Sequence, residues 1–396
     1  MLKKALYAAI VLLAVMAGMT GCATYENFIG SLGDEGQAAD TVRIGIFEPL
    51  SGPDAPFGEL EKRGIELARD IHPTVLGKKV ELVVEDNKAD PDYSEVAAEK
   101  LIKKHVSIVL GSYGSSNSMI GGALFEKARI PAIGITCTNP LVTSINEYYF
   151  RVCFIDTFQG IAMAKHAFEH DSALKAAIIE ESGNDYFKTL AQVFKEKFIE
   201  LTGDEKSIVS ITEYDKGADS YKSQLNAIKS AAPDVVFIPG SVKEAGKIIK
   251  AAREAGITAE ILGISDWEDD ALIEAAGEAS EGATFCTPFD PAVVLTEETT
   301  VFLEAYKAKY GPEAIPTKAE ALGYDAYLAA LDAIGRARTS VSGSAIRQAL
   351  TETRQLPAVT GEITFDANGD AIKPVVIKTI QNGEFVYSST AVPVWE

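Results

Sequence analysis

From Thr41 onward the chain alternates short apolar segments with helical patterns, and it completes this rhythm twice. The first series reads VRIGIFEPL, a helix around Glu59 to Ile71, KVELVVED, a helix from Tyr93 to Lys104, VSIVLG, a helix from Met119 to Ala128, and IPAIGIT. The second restarts after Phe154. It runs through a helix around Phe158 to His170, KAAIIEE, a helix from Lys188 to Leu201, IVSITEYD, a helix from Tyr221 to Ala232, DVVFIPG, a helix from Val242 to Ala255, EILGIS, a helix from Asp269 to Ala276, and GATFCTPF. Parallel strands need a crossover between them, so strand-helix repetition specifies a mostly parallel sheet covered on both faces. Two series of roughly 120 residues each predict an α/β protein of two Rossmann-like lobes.

The last third adds no third lobe. Helical patterns at Glu297–Tyr310, Ala319–Arg336 and Ser344–Glu352 precede GEITFDANGDAIKPVVIKTIQNGEFVY. That stretch alternates like antiparallel strands turning at Asn368-Gly369 and Asn382-Gly383. The helices are expected to return to lobe one (41–156 plus 288–357) and the hairpins to lobe two (157–287 plus 358–396). The chain then crosses near Phe154, Pro288 and Pro357, a three-crossover hinge. Ligands of open α/β sheets lie beyond the carboxyl ends of the strands, so two facing lobes enclose a cleft lined by the loops there.

Residues 1–21 carry Lys3 and Lys4, an apolar run from Ala5 to Met16, and small residues leading to Cys22. This is the layout of a secretory signal peptide, and the apolar run is short for a membrane span. Cys22 after Thr20-Gly21 resembles the bacterial lipobox, with Met19 where Leu is usual. That resemblance implies lipidation at Cys22 and an anchor on the extracytoplasmic side of a membrane. A cleaved signal with an incidental Cys is the other reading. Residues 22–40 contain Gly30, Gly33 and Gly36 without sustained period and suit a flexible tether. The formal net charge is -20, or -22 once Lys3 and Lys4 are removed with the signal. With no dense basic patch, nucleic acid is excluded as a partner, and so is flat adhesion of the folded part to an anionic bilayer. Cys137, Cys153 and Cys286 remain, an odd set without metal or CxxC spacing, expected free and buried. No cofactor is indicated.

The most informative local stretch is Val109 to Ser118, VLGSYGSSNS, an apolar strand running into small hydroxyl residues ahead of a helix expected from Met119. Free amides at a helix start, flanked by Ser115, Ser116 and Asn117, suit a carboxylate. The same residues also read as an ordinary helix cap.

Together with IGIFEPLSGPDAPFGELEKRGIELA, VVEDNKADPDYSEVAAEKLI, IPAIGITCTNP, FRVCFIDTFQG, DVVFIPG and GITAEILGISDW, in this order and spacing, the stretch resembles the leucine/isoleucine/valine-binding protein family. These are the type I periplasmic substrate-binding proteins of branched-chain amino acid ABC transporters. The resemblance covers Thr41 to Glu396. It implies a periplasmic binding protein type I fold, a small amino acid as ligand, an ABC transporter permease as partner, and no enzymatic activity. It further implies that Ser115 and the neighbouring N–H groups hold the ligand carboxylate, and that the segment Thr136 to Thr138 contacts both carboxylate and ammonium. Thr138 would offer a hydroxyl and Thr136 a free carbonyl; a plain turn before Asn139-Pro140 is the alternative. The acidic residue that takes the ammonium corresponds to Ser265-Asp266-Trp267, where Asp266 is chosen with a one-residue shift; capping the helix near Asp269 is its other possible role. Tyr186 matches a ligand-touching tyrosine of lobe two, or packs. Phe57 and Tyr113, on lobe-one loops, either flank an apolar ligand side chain or belong to the core. Ser241 replaces the family's aromatic, and Asn87 and Gly114 stand where the family has a disulfide.

Other chemistries are weaker. His166, Glu169 and His170 spell HxxEH, the inverzincin pattern, which reads either as a zinc peptidase site or as a polar helix face beside Asp171. Gly240 to Lys247 misses the P-loop spacing, with Ile248 in place of the magnesium-binding hydroxyl residue. No GxSxG elbow is present. A sensor of the same fold, acting on another small solute such as an amide, urea or an aromatic acid, is the remaining rival.

Overall fold

A computed structural model describes residues 41–391. The signal, Cys22 and the tether lie outside the described residues, as do residues 392–396. Among the described residues no helix is long and apolar enough to cross a membrane.

The strands are β1 (Thr41–Glu48), β2 (Thr74–Val75), β3 (Lys78–Asp86), β4 (Ile108–Leu110), β5 (Ala132–Gly134), β6 (Tyr149–Arg151), β7 (Ala176–Glu181), β8 (Ile208–Tyr214), β9 (Val235–Phe237), β10 (Glu260–Gly263), β11 (Thr284–Thr287), β12 (Thr364–Phe365), β13 (Ala371–Ile372), β14 (Val375–Gln381) and β15 (Glu384–Ala391). One sheet has the order β2-β3-β1-β4-β5-β6 and is parallel apart from β2. The other has the order β15-β14-β11-β10-β9-β7-β8 and is parallel apart from β14 and β15. In each lobe the first parallel strand lies between the second and the third. The chain therefore reverses its direction of travel between β1 and β4, and again between β7 and β9, and loops diverge there to leave a crevice. Central strands are apolar throughout, as both faces are covered: all six positions of β7 are buried.

Core membership shows where the chain changes lobes. Cys153 belongs to the lobe-one core and Phe154 to that of lobe two; Cys286 lies in lobe two and Phe289 in lobe one; Ala371 is in lobe one and Val375 in lobe two. The third crossing thus falls near Pro374, and the expected boundary at Pro357 is corrected. The β12–β13 hairpin stays with lobe one because Phe365 packs edge-on against Phe150 with ring centroids 5.3 Å apart. The buried Arg151 also donates from Nε to Asp370 at 2.5 Å, and its amide to the Gly369 carbonyl at 3.0 Å. Only β14 and β15 extend the second sheet.

Helices Ala55–Ile71 and Lys318–Ala337 cross closely on lobe one. A Cβ at Gly64 would collide with the Glu320 carbonyl, and one at Gly323 with that of Glu61. This glycine-permitted approach fixes Glu61 and Lys318 relative to each other. The continuous helix expected over Phe158 to His170 is instead an α-helix, Asp156–Lys165, followed by a π-helical turn, His166–His170.

Candidate functional site

The lobe-one side begins where β4 ends at the reversal point. The following helix is Ser115–Lys127, so Ser115 to Ser118 form its first turn and do not precede it. Gly114, at φ 84° and ψ 131°, makes the entry, and no side chain caps the helix. The amides of Ser115, Ser116 and Asn117 have no acceptor among the described residues, the first return bond being Ser118 N–H to the Gly114 carbonyl at 3.3 Å. They form an anion-ready group at a helix N-terminus. Ser115 Oγ accepts from the Asn139 amide at 3.2 Å, which leaves its proton to give.

Below this turn two carboxyl groups are wholly buried. Glu48, at the end of β1, accepts from the Tyr113 amide at 2.7 Å, and Glu61 accepts from the Thr136 hydroxyl. Glu48 Oε1 and Glu61 Oε2 receive no donor from any other described group. A proton held between the two carboxyls satisfies both. Burial raises the pKa of each: Glu48 well above the carboxylate range, with Glu61 beside it adding to the effect, and Glu61 to about 8 despite the Thr136 hydrogen bond. The pair anchors Tyr113, just ahead of the Gly114–Ser115 turn, and Thr136, whose carbonyl accepts from Gly114.

Thr136 therefore differs from expectation. Its hydroxyl is committed to Glu61, and its carbonyl, expected free, accepts a long bond from the Gly114 amide at 3.4 Å. The Thr138 carbonyl accepts from the Asp156 amide at 3.1 Å, and its side chain lies near the Asp156 carboxyl. Arg151 holds this loop from beneath by donating to the Cys137 carbonyl at 2.6 Å and the Asn139 carbonyl at 2.8 Å. Phe57 stacks on Tyr113 with centroids 4.8 Å apart and planes 7° apart, and at 46% exposure it forms a wall and not a core. It sits in the first turn of helix Ala55–Ile71, not on a loop.

On lobe two, Asp266 belongs to the single 3-10 turn Ser265–Trp267 after β10. It does not cap the next helix, because Asp269 does so by accepting from the Ala271 amide at 2.8 Å. The Asp266 carboxylate makes no hydrogen bond or close ion pair among the described residues. Water still reaches it, but surrounding protein desolvates it and raises its pKa, opposed by the Lys318 charge. Its charge is felt by Tyr113 and Asp156 at the lobe junction and by Tyr186 on its own lobe. Asp266 thus faces the groove. Tyr186, in the first turn of helix Asp185–Thr202, accepts from Gln159 Nε2 at 3.4 Å, and Gln159 Oε1 accepts from the Ser265 amide at 2.9 Å. Asp156 is buried with Oδ1 unpartnered, and burial lifts its pKa to about 6, with Asp266 contributing. The carboxyls of Asp266 and Asp156 thus come together at the lobe junction as a cation-seeking group.

Sequence reasoning missed Glu48, Glu61, Arg151, Asp156, Gln159 and Lys318. Glu61 falls four residues before Ile65 on the buried face of its helix, a legible sign; Lys318 had none. Ser241 precedes helix Val242–Glu254 without a capping bond. Asn87 replaces the family disulfide with an amide donated to Ser112 Oγ at 2.8 Å. Cys137, Cys153 and Cys286 are free and buried. Glu169 is exposed and lies outside the group formed by His166, His170 and Asp171, which does not assemble the peptidase arrangement.

A family model for periplasmic binding protein matches residues 41–384. The chain is 28% identical over 349 residues to Leu/Ile/Val-binding protein homolog 2 of Brucella abortus, covering 87% of this chain and 91% of that one. Its structure resembles that of a leucine binding protein from Thermotoga maritima, with a TM-score of 0.73, 34% identity, and coverage of 89% and 99% of the two chains. It also resembles the isoleucine complex of a branched-chain amino acid transporter substrate binding protein from Streptococcus pneumoniae, with a TM-score of 0.71, 28% identity, and coverage of 89% and 100%.

Proposed function

The chain belongs to the periplasmic binding protein family, in its leucine/isoleucine/valine-binding branch, and from that premise we propose that it captures a small aliphatic L-amino acid between its lobes and delivers it to an ABC transporter permease. The observation carrying this reading is the pairing of opposite needs across one groove. Amides of Ser115, Ser116 and Asn117 want an anion, and the desolvated carboxylates of Asp266 and Asp156 want a cation. A zwitterion meets both together only when the lobes close, so ligand selects the closed state. Thr138 contributes a hydroxyl, Tyr186 a lobe-two contact, and the Phe57–Tyr113 stack an apolar wall for the side chain. Micromolar affinity needs about 8 kcal/mol, within the reach of a few charge-assisted hydrogen bonds and one buried aliphatic group. Lipidation at Cys22 then tethers the binding lobes on the extracytoplasmic face, beside the permease.

Thermal shift against a panel of small solutes tests the reading, with the largest stabilisation expected from aliphatic L-amino acids and its loss in Asp266→Ala. A shift confined to acids lacking an amino group removes the zwitterion.

A further inference from the structure

We propose that His166, His170 and Asp171 form a site for a divalent transition-metal ion, zinc matching the donors best, on the face of lobe two remote from the cleft. The three side chains place one ligand atom each within 4.8 Å of the others. His170 Nδ1 lies 2.9 Å from Asp171 Oδ1, and His166 Nε2 lies 3.7 Å from the same oxygen. Donors around a tetrahedral zinc with bonds near 2.1 Å are separated by about 3.4 Å, so small rotations of these side chains suffice.

The backbone supplies the geometry. His166 and His170 stand at i and i+4 of the π turn His166–His170, and the two imidazoles stack with centroids 4.7 Å apart and planes 16° apart. The Asp171 amide closes that turn on the His166 carbonyl at 3.3 Å, which brings its carboxylate under both rings.

A second observation points to a cation. Asp171 Oδ2 is buried and receives no hydrogen bond, and the carboxyl of Glu260, the first residue of β10, lies beside Asp171. Two imidazoles with one carboxylate, and a second carboxylate adjacent, is a borderline donor set suited to zinc. The site sits at the amino ends of β7 and β10, whereas the cleft opens at the carboxyl ends. A bound ion would therefore lock the π turn that ends helix Asp156–Lys165, beside the first residue of β10, without entering the cleft, and Glu169 stays outside the cluster.

The test uses tag-free protein stripped with chelator. Calorimetric titration with zinc chloride is expected to show one ion per chain and a raised melting temperature, and cobalt(II) is expected to give the intense visible bands of a four-coordinate site. His170→Gln, at an exposed position, and Asp171→Asn are each expected to weaken uptake at least tenfold while amino acid binding is unchanged. Absence of saturable uptake overturns the proposal. So does a cobalt spectrum like that of the aqueous ion, or uptake by both variants equal to that of the unsubstituted protein.

Discussion

Lys318 Nζ, in the first turn of a lobe-one helix, donates to the Ser265 carbonyl of lobe two at 2.7 Å. The same ammonium lies 3.4 Å from Glu268, itself held by Lys378 at 2.8 Å and by the Thr287 hydroxyl at 2.6 Å. A direct charge-assisted clasp therefore joins the lobes next to Asp266. Its removal in Lys318→Met is expected to shift the protein toward open forms and weaken ligand affinity by about tenfold, equivalent to one such bond. Small-angle scattering with calorimetry checks this; unchanged affinity and radius would show that the clasp does not bias closure.

Asp266 carries the ammonium in the proposed complex, and its pKa is raised in the free protein by desolvation. An ammonium selects the ionised carboxylate, so binding releases the extra proton and affinity is expected to fall as pH drops through the raised Asp266 pKa. Asp266→Asn is expected to flatten that dependence and to weaken binding on the order of a hundredfold. Calorimetry at three pH values separates the two effects.

Ser115→Ala removes a hydroxyl donor to the proposed carboxylate and the acceptor of the Asn139 amide. The expected outcome is a Kd raised about tenfold or more with little change in Tm. Gly114→Ala, strained at φ 84°, is expected to weaken binding and to lower Tm.

Glu48 and Glu61 have folded-state pKa values above their unfolded ones, Glu61 reaching about 8. Between about pH 4.5 and 8 the unfolded chain has lost protons that the folded chain keeps, so stability is expected to decline as pH rises through that window. Glu61→Gln keeps a neutral hydrogen-bonding group and is expected to reduce the slope at little cost near pH 7. Glu61→Ala leaves Glu48 and Thr136 unsatisfied and is expected to cost about 3 kcal/mol. Urea unfolding across pH provides both readings.

Arg151 has a fully buried side chain that holds Asp370 of the β12–β13 hairpin and the carbonyls of Cys137 and Asn139. Arg151→Met strands Asp370 and frees the Thr136–Thr138 loop, so a loss of roughly 3–5 kcal/mol is expected. A hydrogen-exchange comparison should show the increase concentrated in that loop and hairpin.

The sequence by itself determined the two strand-helix series and the helices that rejoin lobe one, since period and strand length are local properties. It also marked the hydroxyl-rich stretch after β4 as the approach to a helix, although it set the helix start at Met119 where the structure begins it at Ser115. Only the tertiary structure decided that Thr136 is spoken for by Glu61, that Asp266 faces the groove while Asp269 takes the cap, and that the β12–β13 hairpin stays behind with Arg151. Each of those outcomes depends on a partner from 75 to 219 residues away or on a competition between neighbours for one role. Such pairings leave no periodic mark, because a buried polar group is satisfied by whichever donor the packing brings to it.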